Sequence, residues 1–255
     1  MLLRLDLLQR ARASGLHLII SALVAALAAA LVFGVWYPNE YREWAGGREL
    51  FLLVTGVDVA LGPLLTFAVF NLKKGWPHLR RDLAFIGALQ LAALGYGMYT
   101  VYLARPVALV YEQDRFRVIT NVQVQEGELG KALPAYRNLP LTGPWLLSTR
   151  EPTTEERSDA LLMAAFTGVD RAERPSFWQP YAESIPEVLK RGRPLAVLFK
   201  KYPEMGAGVN AALDARKVDR SAARFLPLLT RGGDWVAIVD GAGQPVHFVR
   251  GDAFY

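Results

Sequence analysis

The chain has 255 residues, 52% of them hydrophobic, with a net charge of +5 and no cysteine. The missing thiols exclude disulfides, thiol catalysis and cysteine-ligated metals, and the length accommodates a small membrane domain plus one soluble domain. The positive charge is no argument for nucleic acid, because residues 105–255 carry 20 Lys/Arg against 18 Asp/Glu and the remaining 9 against 6 lie around apolar segments.

Those segments come first. No charged side chain occurs from Ala13 to Asn39 or from Leu83 to Ala104, and between Leu50 and Leu72 the only charge is Asp58. Roughly 20 apolar helical residues cross a bilayer core, so spans are expected at about 15–37, 50–72 and 83–104. Ala26-Leu27-Ala28 has the small-x-small form of a signal cleavage site. The apolar run continues nine residues beyond it, however, which favours an uncleaved anchor. Trp36, Tyr37, Tyr99 and Tyr102 stand at span ends, where interface aromatics belong. Arg4, Arg10, Arg12, Lys73, Lys74, Arg80 and Arg81 flank one side of the spans, against Arg42 and Arg48 on the other. The positive-inside rule then puts the N-terminus in the cytoplasm and residues 105–255 across the membrane, in a bacterium the periplasm.

Within the first span, Ala22, Ala26, Ala30 and Gly34 recur every fourth residue. Such a ridge lets helix backbones approach closely, either among the protein's own spans or with a partner's helix. In the second span Thr55, Asp58, Gly62 and Thr66 share one helix face, and Gly62-Pro63 is expected to kink the helix. A carboxylate in hydrocarbon is costly unless paired, hydrated or protonated. Asp58 is therefore either an internal buttress bonded to Gln90, a tyrosine such as Tyr96 or a freed backbone amide, or a contact for another helix, or a proton or ion site.

Beyond Arg105-Pro106 the pattern turns to strands. Val107–Tyr111 and Arg115–Thr120 form a hairpin, and Trp145–Thr149 reads as another strand. A helix starts near Thr153–Glu156, and short helices fall near Glu183–Lys190, Leu195–Lys201 and Ala207–Arg216. Phe225–Thr230, Trp235–Val239 and Pro245–Val249, separated by Gly-rich turns, read as an antiparallel meander. The fold class is thus an integral membrane protein: three N-terminal transmembrane helices, then a soluble α+β domain with a C-terminal meander.

No catalytic constellation stands out. His17, His78 and His247 lack metal-ligand spacing, and Ser148, Ser158, Ser176, Ser184 and Ser221 lack a nucleophile-elbow context. Arg115/Arg117 and Lys190-Arg191 with Arg193 read as solvated faces. No enzyme, cofactor or metal site is expected.

Gly46-Gly-Arg-Glu-Leu50, then Gly56-Val-Asp58-Val-Ala-Leu-Gly62-Pro63-Leu-Leu-Thr66 and Val69-Phe70-Asn71, form a distinctive stretch. It continues through Arg81-Asp82, Gln90, Tyr96-Gly97, Arg105-Pro106-Val107 and Asp114-Arg115-Phe116. This half of the chain closely resembles the type IV pilin accessory proteins of the TfpX/TfpZ group. The resemblance implies a non-enzymatic inner-membrane protein serving a type IV major pilin, with membrane lipid and other pilus assembly proteins as further neighbours and no nucleic acid. It transfers no catalytic residues. The ridge or the Asp58 stripe would hold the pilin helix, and residues 105–255 would meet its periplasmic head. Two other readings stay open: a proton- or ion-coupled subunit centred on Asp58, and a membrane sensor, which would have only short cytoplasmic segments for output.

Overall fold

The computed structural model describes residues 2–71 and 75–254, with side chains from residue 6 onward. The Arg4 side chain, Lys73, Lys74 and the expected span end at Leu72 lie outside the described residues. The chain divides into two compact units, Met1–Arg105 and Pro106–Tyr255.

The first unit holds α1 (Leu2–Leu31), extended by a π-turn over Val32–Trp36, the short α2 (Tyr41–Trp44), α3 (Gly47–Val69) and α4 (Trp76–Leu103). Three of these are long and apolar enough to cross a membrane: Asp6–Trp36, Gly47–Val69 and Trp76–Leu103. The first helix begins well before the expected residue 15, because Leu2–Arg12 is rich in good helix formers and nothing in it breaks a turn. Helix α3 runs through Pro63, and α4 carries Pro77 in its first turn, where the missing N–H costs nothing. Helix α3 packs against both α1 and α4. At one end Val32, Tyr37, Ala45, Phe51 and Val101 close a small core, tied by Tyr37 Oη donating to Val101 O at 2.8 Å.

The second unit is built on one mixed sheet. Its strands are β1 (Pro106–Glu112), β2 (Arg115–Thr120), β3 (Trp145–Thr149), β4 (Trp178–Pro180), β5 (Arg193–Pro194), β6 (Arg224–Thr230), β7 (Gly233–Val239) and β8 (Pro245–Arg250). The order is β4-β3-β1-β2-β6-β7-β8, with β5 beside β6. The β1/β2 hairpin and the β6–β8 meander are antiparallel, as their turn residues require. Two joins are parallel: β3 lies beside β1, and β6 lies beside β2, fusing hairpin and meander into one sheet. Helices α5 (Arg157–Thr167), α6 (Ile185–Arg191), α7 (Leu195–Lys201) and α8 (Met205–Ala215) complete it. Leu198, Val209 and Leu213 of α7 and α8 pack on Phe225, Val236 and Ile238. Around β1, every residue of which is buried, Val107, Val110, Ile119, Leu147 and Trp178 form a second core.

Candidate functional site

Hydrocarbon cannot satisfy polar groups, so polar side chains in a span turn toward one another. Thr55, Gly62 and Thr66 of α3 are buried and Asp58 is half-buried. Thr55 Oγ1 donates to Phe51 O at 2.7 Å, within its own helix. Thr66 Oγ1 meets His17 Nδ1 of α1 at 2.5 Å, and Ser14 Oγ donates to Pro63 O at 2.8 Å. From the other side, Gln90 Nε2 of α4 donates to both Asp58 O and Asp58 Oδ1 at 3.2 Å. The stripe is therefore engaged on both flanks by the protein's own helices. Gln90, not Tyr96, meets Asp58, since the Tyr96 side chain is exposed. Beside this bond lies a cavity of about 220 Å³, lined by His17, Ser21, Asp58 and Gln90 and walled by Val24 and Leu91.

The ridge has the opposite placement. On α1, Ser21 and Val32 are buried, and Ala28 and Ala29 pack against the core at the converging end. Ala26 lies two residues from Ala28, about 200° around the helix at about 100° per residue. Ala22, Ala26, Ala30 and Gly34 are all exposed, and, its chain neighbours and own helix backbone apart, no described atom lies within 4 Å of a Cβ built at Gly34. Close approach inside the bundle uses other glycines. A Cβ at Gly97 would stand 2.1 Å from Val54 Cγ1, one at Gly62 2.0 Å from Gln90 Nε2, and one at Gly47 2.3 Å from Tyr37 Cδ1. Gly47, Gly62, Gln90 and Gly97 all belong to the stretch that carries the family resemblance. Their spacing in the chain gives no sign that Gly97 packs on Val54 or Gly47 on Tyr37.

In the second unit the hydroxyls of interest are taken up locally. Ser148 Oγ donates to Pro180 O, Ser176 Oγ to Glu128, and Ser221 Oγ to Asp219. The expectation of a solvated Arg117 is corrected: its side chain is nearly buried and pairs with Asp170 at 2.5 Å, Glu173 at 3.2 Å and Glu112 at 3.6 Å. Arg171, also buried, reaches the same Glu112 at 3.6 Å. Strand β2 turns Arg117 inward beside the Asp170–Glu173 turn, a pairing across more than fifty residues that local pattern does not reveal. Burial, then the nearby Asp170, pushes the Glu112 carboxyl above the usual carboxylate range, against the pull of Arg117 and Arg171. Nearer the surface, the bonds from Arg150 and the Thr153 amide hold Glu156 down to about 2.

A family model described as fimbrial assembly protein FimB matches residues 5–46. Two fimbrial assembly proteins of Dichelobacter nodosus, of serogroups I and E1, are 40% and 38% identical over 247 residues, 96% of each chain. A third, of serogroups C1 and C2, is 45% identical over 122 residues, 48% of this chain and 93% of its own length. No solved structure matches. Similarity sustained along nearly the whole chain, and not confined to apolar spans that any membrane protein could share, makes this protein a member of the fimbrial assembly protein family, in agreement with the resemblance carried by residues 46–116.

Proposed function

We propose that this protein is a non-enzymatic inner-membrane accessory of type IV pilus assembly, and that the ridge Ala22, Ala26, Ala30 and Gly34 on α1 holds the transmembrane helix of the pilin. One observation carries the reading. A ridge suited to close helix contact lies uncovered on the side of α1 away from the protein's own bundle. In lipid, helices associate through packing and hydrogen bonds rather than hydrophobic drive, so an exposed small-residue face is where a second helix gains most contact. The Thr55/Asp58/Gly62/Thr66 stripe then acts as the buttress that fixes α1 and α4 on α3. The names of the relatives support the assembly role. The excess of basic residues in the N-terminal arm and the second loop supports a cytoplasmic N-terminus and a periplasmic domain at 106–255. That domain meets the soluble head of the pilin and holds it while the membrane helix is docked.

The test is an in-membrane crosslink. A photoreactive residue at Ala26, co-expressed with the major pilin, is expected to give a pilin adduct. The same residue at Leu91, exposed on α4, is expected to give none. Adducts at Leu91 as abundant as at Ala26, or none at Ala26, would remove the ridge as the docking face.

A further inference from the structure

In the second unit β1 and β3 run parallel as neighbours, and the chain leaves them differently. From β1 it folds straight back into β2, whereas from β3 it runs on toward α5. In open α/β sheets, ligand crevices form outside the carboxyl ends of the parallel strands. At this place a cavity of about 580 Å³ is lined by Gln113 after β1, Thr149, Arg150 and Glu151 at the end of β3, and Arg171 and Gln179.

Two features of its wall are unfinished. Thr149 is only 8% exposed, yet its Oγ1 has no hydrogen-bond partner among the described residues. A buried hydroxyl left so costs stability unless something fills the place. Next to it, Arg171 has a side chain 8% exposed, and its Nη1 meets Glu151 Oε2 at 3.0 Å while the Glu151 side chain is 81% exposed. The inner side of the same guanidinium faces buried Glu112, and its Nη1 also donates to Arg150 O at 3.2 Å. A buried cation is thus completed on its open side by an exposed surface carboxylate, a pairing that an incoming anion can displace at small cost.

We infer that this cavity binds a carboxylate carried by a polypeptide segment, which replaces Glu151 on Arg171 and accepts the hydrogen bond of Thr149 Oγ1. The exchange is one charge for one, so the balance among Arg171, Glu112 and Arg117 is preserved. The volume exceeds what a lone carboxylate fills, and Gln113, Gln179 and Ser184 offer amide and hydroxyl groups suited to peptide backbone. The inference is independent of which face of α1 docks a helix.

The experiment uses the full chain in detergent micelles and saturation-transfer NMR with three probes: acetyl-Gly-Glu-Gly-amide, its glutamine counterpart and sodium acetate. The glutamate peptide is expected to bind at least tenfold more tightly than either of the others. Glu151→Gln, which removes the internal competitor, is expected to tighten it about fivefold, the worth of a good surface ion pair. Thr149→Val is expected to weaken peptide binding about fivefold while raising the Tm of the peptide-free protein. A purely structural threonine would instead lose Tm and leave binding unchanged, and that result overturns the assignment. So do equal binding of the glutamine peptide, acetate binding as tightly as the glutamate peptide, and no binding by either wild type or Glu151→Gln.

Discussion

Gly97 and Gly34 are both glycines in apolar spans, and the structure assigns them opposite sensitivities. A Cβ at Gly97 would lie 2.1 Å from Val54 Cγ1 and 2.8 Å from Cγ2, against about 3.5–4.0 Å for a relaxed carbon contact. Rotating Val54 does not clear the clash, because its Cβ would still be only 3.0 Å away. Gly97→Ala therefore forces α3 and α4 apart by about an ångström, and overpacking of this kind costs about 1–3 kcal/mol. Two turns along the same interface, Gln90 bonds Asp58 at 3.2 Å. Stretching that contact adds about 0.6 kcal/mol, typical of a hydrogen bond between membrane helices. The expected loss is thus about 1.5–3.5 kcal/mol, read by SDS-titrated unfolding of the full chain in micelles, followed by far-UV circular dichroism. Val54→Ala in the same chain is expected to restore part of it. Gly34→Ala meets no described atom within 4 Å beyond its chain neighbours and own helix backbone and is expected to leave stability unchanged or slightly raised, since alanine favours helix over glycine by up to about 1 kcal/mol. If Gly97→Ala stays within about 0.5 kcal/mol of wild type, the size of a neutral surface change, the close α3–α4 approach is refuted.

Three further outcomes are expected. Asp58→Asn keeps an acceptor for Gln90, so unfolding should show stability within about 0.5 kcal/mol of wild type, and a clear loss would mean that the carboxyl group itself is paired. Arg117→Ala strips the buried Glu112 of one of its two cations and is expected to cost about 3–5 kcal/mol, measured as a fall in the urea or thermal midpoint of the second unit within the full chain. Glu156→Gln tests pH linkage. Arg150 holds the Glu156 carboxyl down to about 2 in the folded chain, so the stability from this pair is fully present above the unfolded value of about 4.3. It fades as pH falls through about 2. Because both side chains are about one-third exposed, the gap between wild type and variant at neutral pH is expected to be about 1 kcal/mol, closing in acid. A gap independent of pH would show that Glu156 acts by packing.

Elements with a local cause were legible in the sequence. The hairpin at 106–120 has its turn residues, the meander at 224–250 has its Gly-rich turns, and the spans have their long apolar runs. The sheet that joins them was not. Its two parallel joins, β1 with β3 and β2 with β6, link residues separated by tens to over a hundred positions, and only the assembled core decides them. The same holds for Arg117. A basic residue beside Arg115 on an alternating strand reads as solvent-facing, and it is buried only because the Asp170–Glu173 turn supplies carboxylates from far along the chain.

The two stripes in the spans carry the deeper lesson, because periodicity found both and could not say which was covered. What separates them is chemistry that hydrocarbon cannot serve. Ser14, His17 and Ser21 fall at i, i+3 and i+7 on α1, and two of them reach the Pro63–Thr66 segment of α3. Pairing these polar groups fixes the rotation of α1 about its axis. Once that rotation is set, Ala26 and Ala30, about 150–190° from the mean direction of those three residues at about 100° per residue, face outward, and Ala22 and Gly34 flank them, also exposed. The exposed ridge is therefore a consequence of the buried polar stripe. It follows that Ser14→Ala together with Thr66→Val should loosen the rotation of α1 and weaken a helix docked on the ridge, although neither residue touches that helix. Pilin crosslinking from Ala26 that is undiminished in the double variant would break this link between the two faces.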